Sequence, residues 1–221
     1  MDQYRTGRAS HSASCQINSS ALSTVETQDL LAELTSGDNE RAEKSIPALV
    51  QLGMAAFPAL LDLTRADEVD SRWWAVRALA ASPHTRTEDL IPHLSDSAPE
   101  VRAAAALALC SHPHETAVEA LIKALADEDP LTAGLAGNAL AKIGSPSVLS
   151  LIEVVKARVE SDRNDASTGV RILALRALSQ IRDHRAIPSM MKILSEESAV
   201  LQYWAQEGLN RLGLNMVYIK P

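Results

Sequence analysis

Adjacent pairs of aliphatic residues recur along the chain at a nearly constant interval. The pairs are Leu30-Leu31, Leu60-Leu61, Leu90-Ile91, Leu121-Ile122, Leu151-Ile152 and Met190-Met191, and their spacings are 30, 30, 31, 30 and 39 residues. Self-similarity at a fixed period of this length is typical of stacked supersecondary units. The pattern therefore predicts six repeats.

A second pattern begins twelve residues after the first residue of each pair, except in the fifth repeat, where the distance is twenty residues. Its zero points are Ala42, Arg72, Arg102, Ala133, Arg171 and Gln202. Three and six residues after each zero point the chain has a small residue (Ala, Ser or Gly), and seven residues after it has Leu. Offsets of three, four and seven define one stripe on a helix. Each repeat is therefore predicted to contain a helix A with the aliphatic pair and a helix B with the small residues, stacked into one continuous core.

The residues that end and begin helices agree with this division. The position eleven residues after the zero point holds Gly53, Gly144 and Gly213, or Pro83 and Pro113. Glycine there permits the positive φ common at helix C-termini, and proline stops a helix. Pro99 and Pro130 lie in turns between A and B, where proline favours the start of helix B.

The turn Asp96-Ser97-Ala98-Pro99-Glu100-Val101-Arg102 and the alanines after it resemble the Asp…Pro-Glu-Val-Arg…Ala…Ala-Leu signature of the HEAT family, in its short bacterial PBS-lyase HEAT-like form. The stretch Val170-Arg171…Ala174…Ala177-Leu178 is similar to the same signature. The resemblance covers roughly residues 27–213 and implies an all-α fold, a right-handed α-α superhelical solenoid of about six HEAT-like helix pairs. It says little about function, because the family includes scaffolds, adaptors, lyase subunits and a few enzymes.

The ends and one irregular repeat complete the predicted organisation. Residues 1–24 form a Ser-rich head typical of disorder, with a docking tail as the alternative, and residues 25–221 form one repeat domain. The fifth repeat is seven or eight residues longer between its helices, which predicts an inserted loop near 158–169, either solvated or carrying binding contacts. Residues 214–221 are expected to cap the open end of the core.

Composition narrows the functional classes. Apolar residues make up 46% of the chain and aromatic residues 3%, a balance that favours closely packed helices over sheets. The net charge of −7 argues against binding to nucleic-acid backbones.

Cys15 and Cys110 do not suggest a disulfide framework or a zinc site. No apolar run approaches the ~20 residues of a membrane span and no signal peptide is recognisable, so a cytoplasmic protein without membrane contact is expected.

Few residues suggest catalysis. The deoxyhypusine hydroxylases, which are HEAT-type enzymes, hold two irons with repeated His-Glu dyads, but this sequence has the single dyad His114-Glu115. It contains no Gly-rich phosphate loop, nucleophile elbow or HExxH motif. We therefore expect no catalytic residues, no metal and no cofactor.

The B helices carry the predicted binding surface. HEAT-type solenoids resemble one another in placing B helices on the concave side, and a helical wheel makes offsets +1, +5 and +8 the outward positions. The predicted partner-binding residues are Trp73, Arg77, Leu107, Asn138, Ile172, Arg176 and Tyr203. Exposed Trp, Tyr and Arg are typical of interface hot spots, and an apolar strip with Arg suits a helix or an extended peptide. For Trp73, packing against a neighbouring repeat stays the alternative, and the zero-position arginines are predicted to bond turn acids or carbonyls.

Three functions are consistent with these features. The first is a non-catalytic scaffold or adaptor that binds a protein or peptide partner. The second, suggested by the family resemblance, is a phycobilin-lyase-like subunit that handles a linear tetrapyrrole. The third is a DNA-binding or glycosylase-type protein, because HEAT-like DNA glycosylases use cations and Trp as in Arg72-Trp73-Trp74, although the acidic charge argues against it. The oligomeric state stays open.

Overall fold

The computed structural model describes residues 24–157, 165–195 and 198–214, with side chains omitted for 165–167. The predictions for the head at 1–23, for the loop at 158–164 and for the cap at 215–221 lie outside these residues. Two compact units divide between His84 and Thr85, and each is described by itself. Over the described ranges the regular structure is entirely helical.

The first unit contains two A–B helix pairs. Helix α1 spans 24–34, and α2 (Asn39–Leu52), α3 (Phe57–Leu63) and α4 (Val69–Ala81) follow. Asp38 caps α2 by accepting hydrogen bonds from the backbone N–H groups of Glu40 and Arg41, at 2.8 and 3.2 Å. Helix α4 packs against both α3 and α2, so the B helices of this unit lie side by side.

The second unit contains four further pairs. Its helices are α5 (Thr87–Leu90, continued by a 3₁₀ helix over Ile91–Ser95), α6 (Pro99–Ser111), α7 (Val118–Ala124), α8 (Pro130–Ile143), α9 (Val148–Lys156), α10 (Asp165–Ile181), α11 (Ile187–Ile193) and α12 (Ala199–Arg211). The even-numbered helices are the B helices, and α6, α8, α10 and α12 pack in that order, each against its own A helix. The predicted all-α fold of six helix pairs is confirmed.

Burial follows the predicted stripe. The leucines at offset +7 are all 1% exposed or less: Leu49, Leu79, Leu109, Leu140, Leu178 and Leu209. The small residues at offset +3 are 3% exposed or less in every repeat. Each buried leucine contributes roughly 1.5–3 kcal/mol relative to an exposed one, so this stripe is the main apolar core.

The position at offset +11 is where the backbone turns left-handed. Gly53, Gly144 and Gly213 have φ of 56°, 77° and 83° there. Arg182, at the same position of the fifth repeat, has φ of 59°. Among the residues that the structure describes, no other non-glycine residue has a positive φ. This conformation costs a non-glycine residue about 1–2 kcal/mol.

The predicted loop at 158–169 is wrong over its last five residues. The backbone is helical from Asp165 onward, so α10 has 17 residues where α12 has 13. Part of the extra length of the fifth repeat therefore extends a B helix by about one turn.

No single helix within the described ranges is long and apolar enough to cross a membrane. Two bent pairs, Asn39–Ala55 with Phe57–Leu63 and Pro130–Ile143 with Ser145–Lys156, meet the length and composition criteria only when both members are counted together.

Candidate functional site

The zero-position arginines hold the A-to-B turns. Arg102 donates through Nη1 to the carbonyls of Asp96 and Ser97, at 3.1 and 3.3 Å, and through Nε and Nη2 to the carboxylate of Asp127, at 2.8 and 2.9 Å. Its bonds to Asp127 raise the pKa of the Arg102 guanidinium. Arg102 therefore bonds both a turn of its own repeat and an acid of the next repeat, as the sequence predicted.

The other two arginines make part of the same pattern. Arg72 donates through Nη1 to the carbonyls of Ala66 and Asp67, at 3.0 and 2.9 Å. Arg171 donates through Nε to the carbonyl of Val155, at 2.9 Å. All three guanidinium groups thus bind backbone carbonyls at the end of helix A or in the turn after it.

In the first unit, the predicted contact residues form a stacked cluster on α4. The rings of Trp73 and Trp74 meet edge to face, with centroids 4.7 Å apart. The Arg77 guanidinium lies 4.8 Å from the Trp73 centroid and 5.1 Å from the Trp74 centroid, and donates to Glu43 at 2.9 Å. Trp74 is buried and Trp73 is half-buried, so Trp73 is the more accessible of the two rings. Glu43, which the sequence did not single out, holds Arg77 in place.

In the second unit, the predicted residues lie on consecutive B helices. We call the accessible side of α6, α8, α10 and α12 the B-helix face. Leu107 is 57% exposed and Tyr203 62%, and Tyr203 meets Trp204 edge to face with centroids 5.3 Å apart. Arg176 is exposed, whereas Asn138 and Ile172 are half-buried.

Two further exposed apolar residues lie on this face. Leu131 of α8 is 62% exposed and Val200 of α12 is 51% exposed. Each stands seven residues before the +5 position of its helix, and a spacing of seven returns to the same side of a helix. The sequence analysis missed them because it considered only positions after the zero point, and both residues lie two positions before it. Counting from one helical turn before the zero point would include them.

Two of the predicted outward positions on the B helices are buried. Ala103, at offset +1, is 7% exposed, and Ser179, at offset +8, is 1% exposed. The cause is the neighbouring B helix: a Cβ on Gly137 would lie 3.9 Å from Cβ of Leu173, and one on Gly208 3.4 Å from Cβ of Ser179. Neighbouring helices therefore approach closely at these positions, whereas Leu107 and Arg176 at offset +5 and Tyr203 at offset +1 of α12 are exposed.

An open, largely apolar recess lies beside Ile172. Its volume is about 550 Å³, within the roughly 300–1,000 Å³ range of small-ligand sites. It is lined by Leu125, Ala126, Asp127, Pro130, Ala133, Gly169, Val170, Ile172 and Leu173. The recess therefore lies between the N-terminal parts of α8 and α10 and the end of α7.

The His114-Glu115 dyad has a structural role. His114 Nδ1 accepts from the backbone N–H of Thr116 at 3.3 Å, and Thr116 Oγ1 donates to Glu88 at 3.0 Å. His114 thereby caps the 3₁₀ helix Glu115–Ala117. Among the residues with described positions, no three His, Cys, Asp or Glu side chains are grouped to hold a metal ion.

Known families match the second unit. The HEAT repeats family matches residues 87–168, and the PBS lyase HEAT-like repeat family matches residues 170–196. The bilin biosynthesis protein RpcF of Synechococcus sp. (strain WH8020) is 37% identical over 91 residues, which span 40% of this chain and 44% of that relative. The chain thus spans less than half of the length of this relative.

Solved structures of helical proteins are also similar. A crystal structure of an engineered protein has 21% identity and a TM-score of 0.52, covering 84% of this chain and 98% of that one. The complex of CpcE and CpcF of phycocyanin lyase from Nostoc sp. PCC7120 has 21% identity and a TM-score of 0.39, covering 83% and 98%. The likeness to the engineered protein concerns the fold alone. The family matches thus indicate HEAT-type repeats over residues 87–168 and 170–196, the second of the PBS-lyase HEAT-like type, in agreement with the resemblance found in the sequence.

Proposed function

We propose that this protein is a HEAT-repeat interaction protein that binds a protein or peptide partner on the B-helix face. The observation that carries the proposal is the set of large apolar side chains exposed there: Leu107, Leu131, Val200 and Tyr203 are each more than half exposed. Burying such side chains against a partner is favourable by about 25 cal/mol per Å² of apolar area. Aromatic anchors such as Tyr203 are enriched among interface hot spots.

The arrangement favours an elongated partner. The exposed residues lie on the accessible side of helices that pack side by side, so we expect them to form a row across the helices. A helix or an extended peptide presents apolar side chains at regular spacing and can match such a row. Arg176, exposed on α10, and the half-buried Asn138 of α8 offer polar contacts within the row.

The Trp73–Arg77 cluster belongs to the proposal as a contact surface of the first unit. Because Glu43 and both indole rings hold the Arg77 guanidinium, little side-chain entropy is lost when a partner meets it. The same contacts argue against a DNA-binding role. The charge of Arg77 is already paired with a carboxylate, and the net charge of the chain is −7.

Selection from a displayed peptide library provides the test. Peptides enriched on the full chain are synthesised, and amide hydrogen exchange is measured with and without them. We expect added protection in α6, α8, α10 and α12 and little change in the paired helices α7, α9 and α11. Protection confined to the A helices, or failure to enrich any peptide, would contradict the proposal.

A second function has one specific observation in its favour. The 37% identity to a bilin biosynthesis protein supports a role as a subunit that handles a linear tetrapyrrole. Titrating the full chain with biliverdin while recording the visible absorbance spectrum tests this role. A saturable red shift supports it, and an unchanged spectrum up to 100-fold excess protein argues against it.

A further inference from the structure

The fourth repeat has no arginine at the position where three other repeats have one. Arg72, Arg102 and Arg171 each bind carbonyls at the end of helix A or in the following turn, whereas the corresponding residue of α8 is Ala133. Five and six residues before Arg102 stand its acceptors Ser97 and Asp96. The same spacing from Ala133 leads to Glu128 and Asp127.

The apolar recess lies at this position. Ala133 and Asp127 both line it, together with apolar side chains of α7 and α10. The long side chain that occupies this place on α6 is reduced to one methyl group on α8, which leaves space between α8 and α10. An arginine side chain fits such a mixed lining, because its stem is apolar and its planar end carries five donors.

The turn beside the recess is acidic. Asp127, Glu128 and Asp129 are consecutive in the turn, and Arg102 is the cation bound to Asp127 and Glu128. Within this described turn, three carboxylates face the one guanidinium of Arg102. The N-terminus of α8 opposes a cation through its dipole, yet Arg102 is held at the equivalent N-terminus of α6 by carbonyl and carboxylate acceptors.

We propose that the recess beside Ala133 binds a guanidinium group, namely the arginine side chain of a peptide partner. The guanidinium meets the backbone carbonyls of Asp127 and Glu128, which correspond to the acceptors of Arg102, beside the exposed Glu128 carboxylate, and the stem packs between Ala133 and Ile172. The source of the arginine rests on the proposed function, whereas the recognition of the guanidinium itself does not.

The test uses a small probe rather than an unidentified partner. N-acetyl-L-arginine methylamide is titrated into isotope-labelled full chain, and NMR shifts are recorded. The neutral isostere N-acetyl-L-citrulline methylamide is the matched control ligand. We expect the arginine probe to shift Asp127, Ala133 and Ile172 and to bind at least tenfold more tightly than citrulline. Equal binding of the two probes, no shift, or shifts confined to other regions would overturn the proposal.

Two variants separate the recess from other acidic surfaces. Ala133→Arg supplies the missing guanidinium from the chain itself and is expected to abolish binding of the probe. Glu128→Gln changes a side chain that is 87% exposed, so folding is retained and binding is expected to weaken at least threefold. Glu153→Gln, which removes a 73% exposed carboxylate on α9, is the control and should leave binding unchanged.

The outcome is independent of peptide binding at the B-helix face. If the arginine probe fails while library peptides still protect the B helices, the recess proposal is wrong and the proposed function stands. If the probe binds but no peptide is enriched, the proposed function fails and the guanidinium site remains.

Discussion

Arg102 and Asp127 join two successive repeats through a two-point ion pair, with N–O distances of 2.8 and 2.9 Å. Each side chain is 9% exposed, so the pair is nearly withdrawn from water. Arg102 also binds two carbonyls of its own turn, which satisfies donors that would otherwise be buried without partners. One side chain therefore links the turn that precedes α6 to the α7–α8 turn of the next repeat.

Removing one partner of this pair leaves a buried charge. We expect Arg102→Ala to lower the free energy of unfolding by about 3–5 kcal/mol, as measured by urea denaturation. Replacing both members, Arg102→Met with Asp127→Leu, is expected to recover most of the loss because no charge stays unpaired. A single variant as stable as the wild type would show that the pair does not hold the repeats together.

The left-handed position at offset +11 predicts opposite effects of two substitutions. Arg182→Gly relieves a positive φ of 59° and is expected to raise the free energy of unfolding by about 1 kcal/mol. Gly144→Ala imposes a Cβ at φ of 77° and is expected to lower it by a similar amount of about 1 kcal/mol. Thermal unfolding followed by circular dichroism measures both, and effects of the same sign would contradict this account.

Substituting two glycines inside B helices by alanine tests how closely neighbouring helices approach. A Cβ on Gly134 would meet nothing within 4 Å, so Gly134→Ala is expected to stabilise the protein by about 1 kcal/mol through helix propensity. A Cβ on Gly208 would lie 2.6 Å from Cε of the buried Met190. Gly208→Ala should therefore gain less than Gly134→Ala, or lose stability, in the same denaturation experiment. Equal gains would mean that α11 and α12 are less closely packed than described.

Asp183 predicts a pH dependence of stability. The hydrogen bonds from the Arg185 guanidinium hold the pKa of the Asp183 carboxyl well below its usual range, and the backbone N–H of Arg185 adds to the effect. A folded-state pKa below the unfolded value means stability that is present at neutral pH. It is lost progressively as the pH falls below about 4, the unfolded value for Asp.

The matching variant is Asp183→Asn. It is expected to be less stable than the wild type at pH 7, with the difference in unfolding midpoint narrowing between pH 4 and pH 2. Because Arg185 is 45% exposed, added salt should reduce the difference as well. A difference that is constant from pH 7 to pH 2 would exclude the carboxylate charge as the cause.

The sequence predicted the repeats well because their core has a simple period. Leu79 and Leu140, at offset +7, are fully buried, and Gly144 adopts the predicted positive φ. These features depend on contacts that every repeat makes in the same way, so one helical wheel describes them all. The extended start of α10 depends on the single irregular repeat, and no period could predict it.

The accessible side of the B helices was predicted less completely than the core. Ile172 and Tyr203 lie where an accessible face exists, but Ala103 is covered and Leu131 was missed. A helical wheel describes one helix alone. It contains no information on the neighbouring B helices, whose side chains cover part of that helix. The recess at Ala133 arises because alanine replaces the arginine that three other repeats have at the zero position. Its size depends on how α8 and α10 pack.

The most direct measurement of the central claim is the dissociation constant of a library-selected peptide for matched variants of the full chain. Leu107→Asp combined with Tyr203→Ala changes side chains of α6 and α12 that are 57% and 62% exposed. Leu149→Asp changes a leucine of the A helix α9 that is 61% exposed and is the control. Binding through the B-helix face predicts at least a tenfold weaker affinity for the double variant and an unchanged affinity for the control. An unchanged affinity of the double variant, or an equal loss in both, would contradict it.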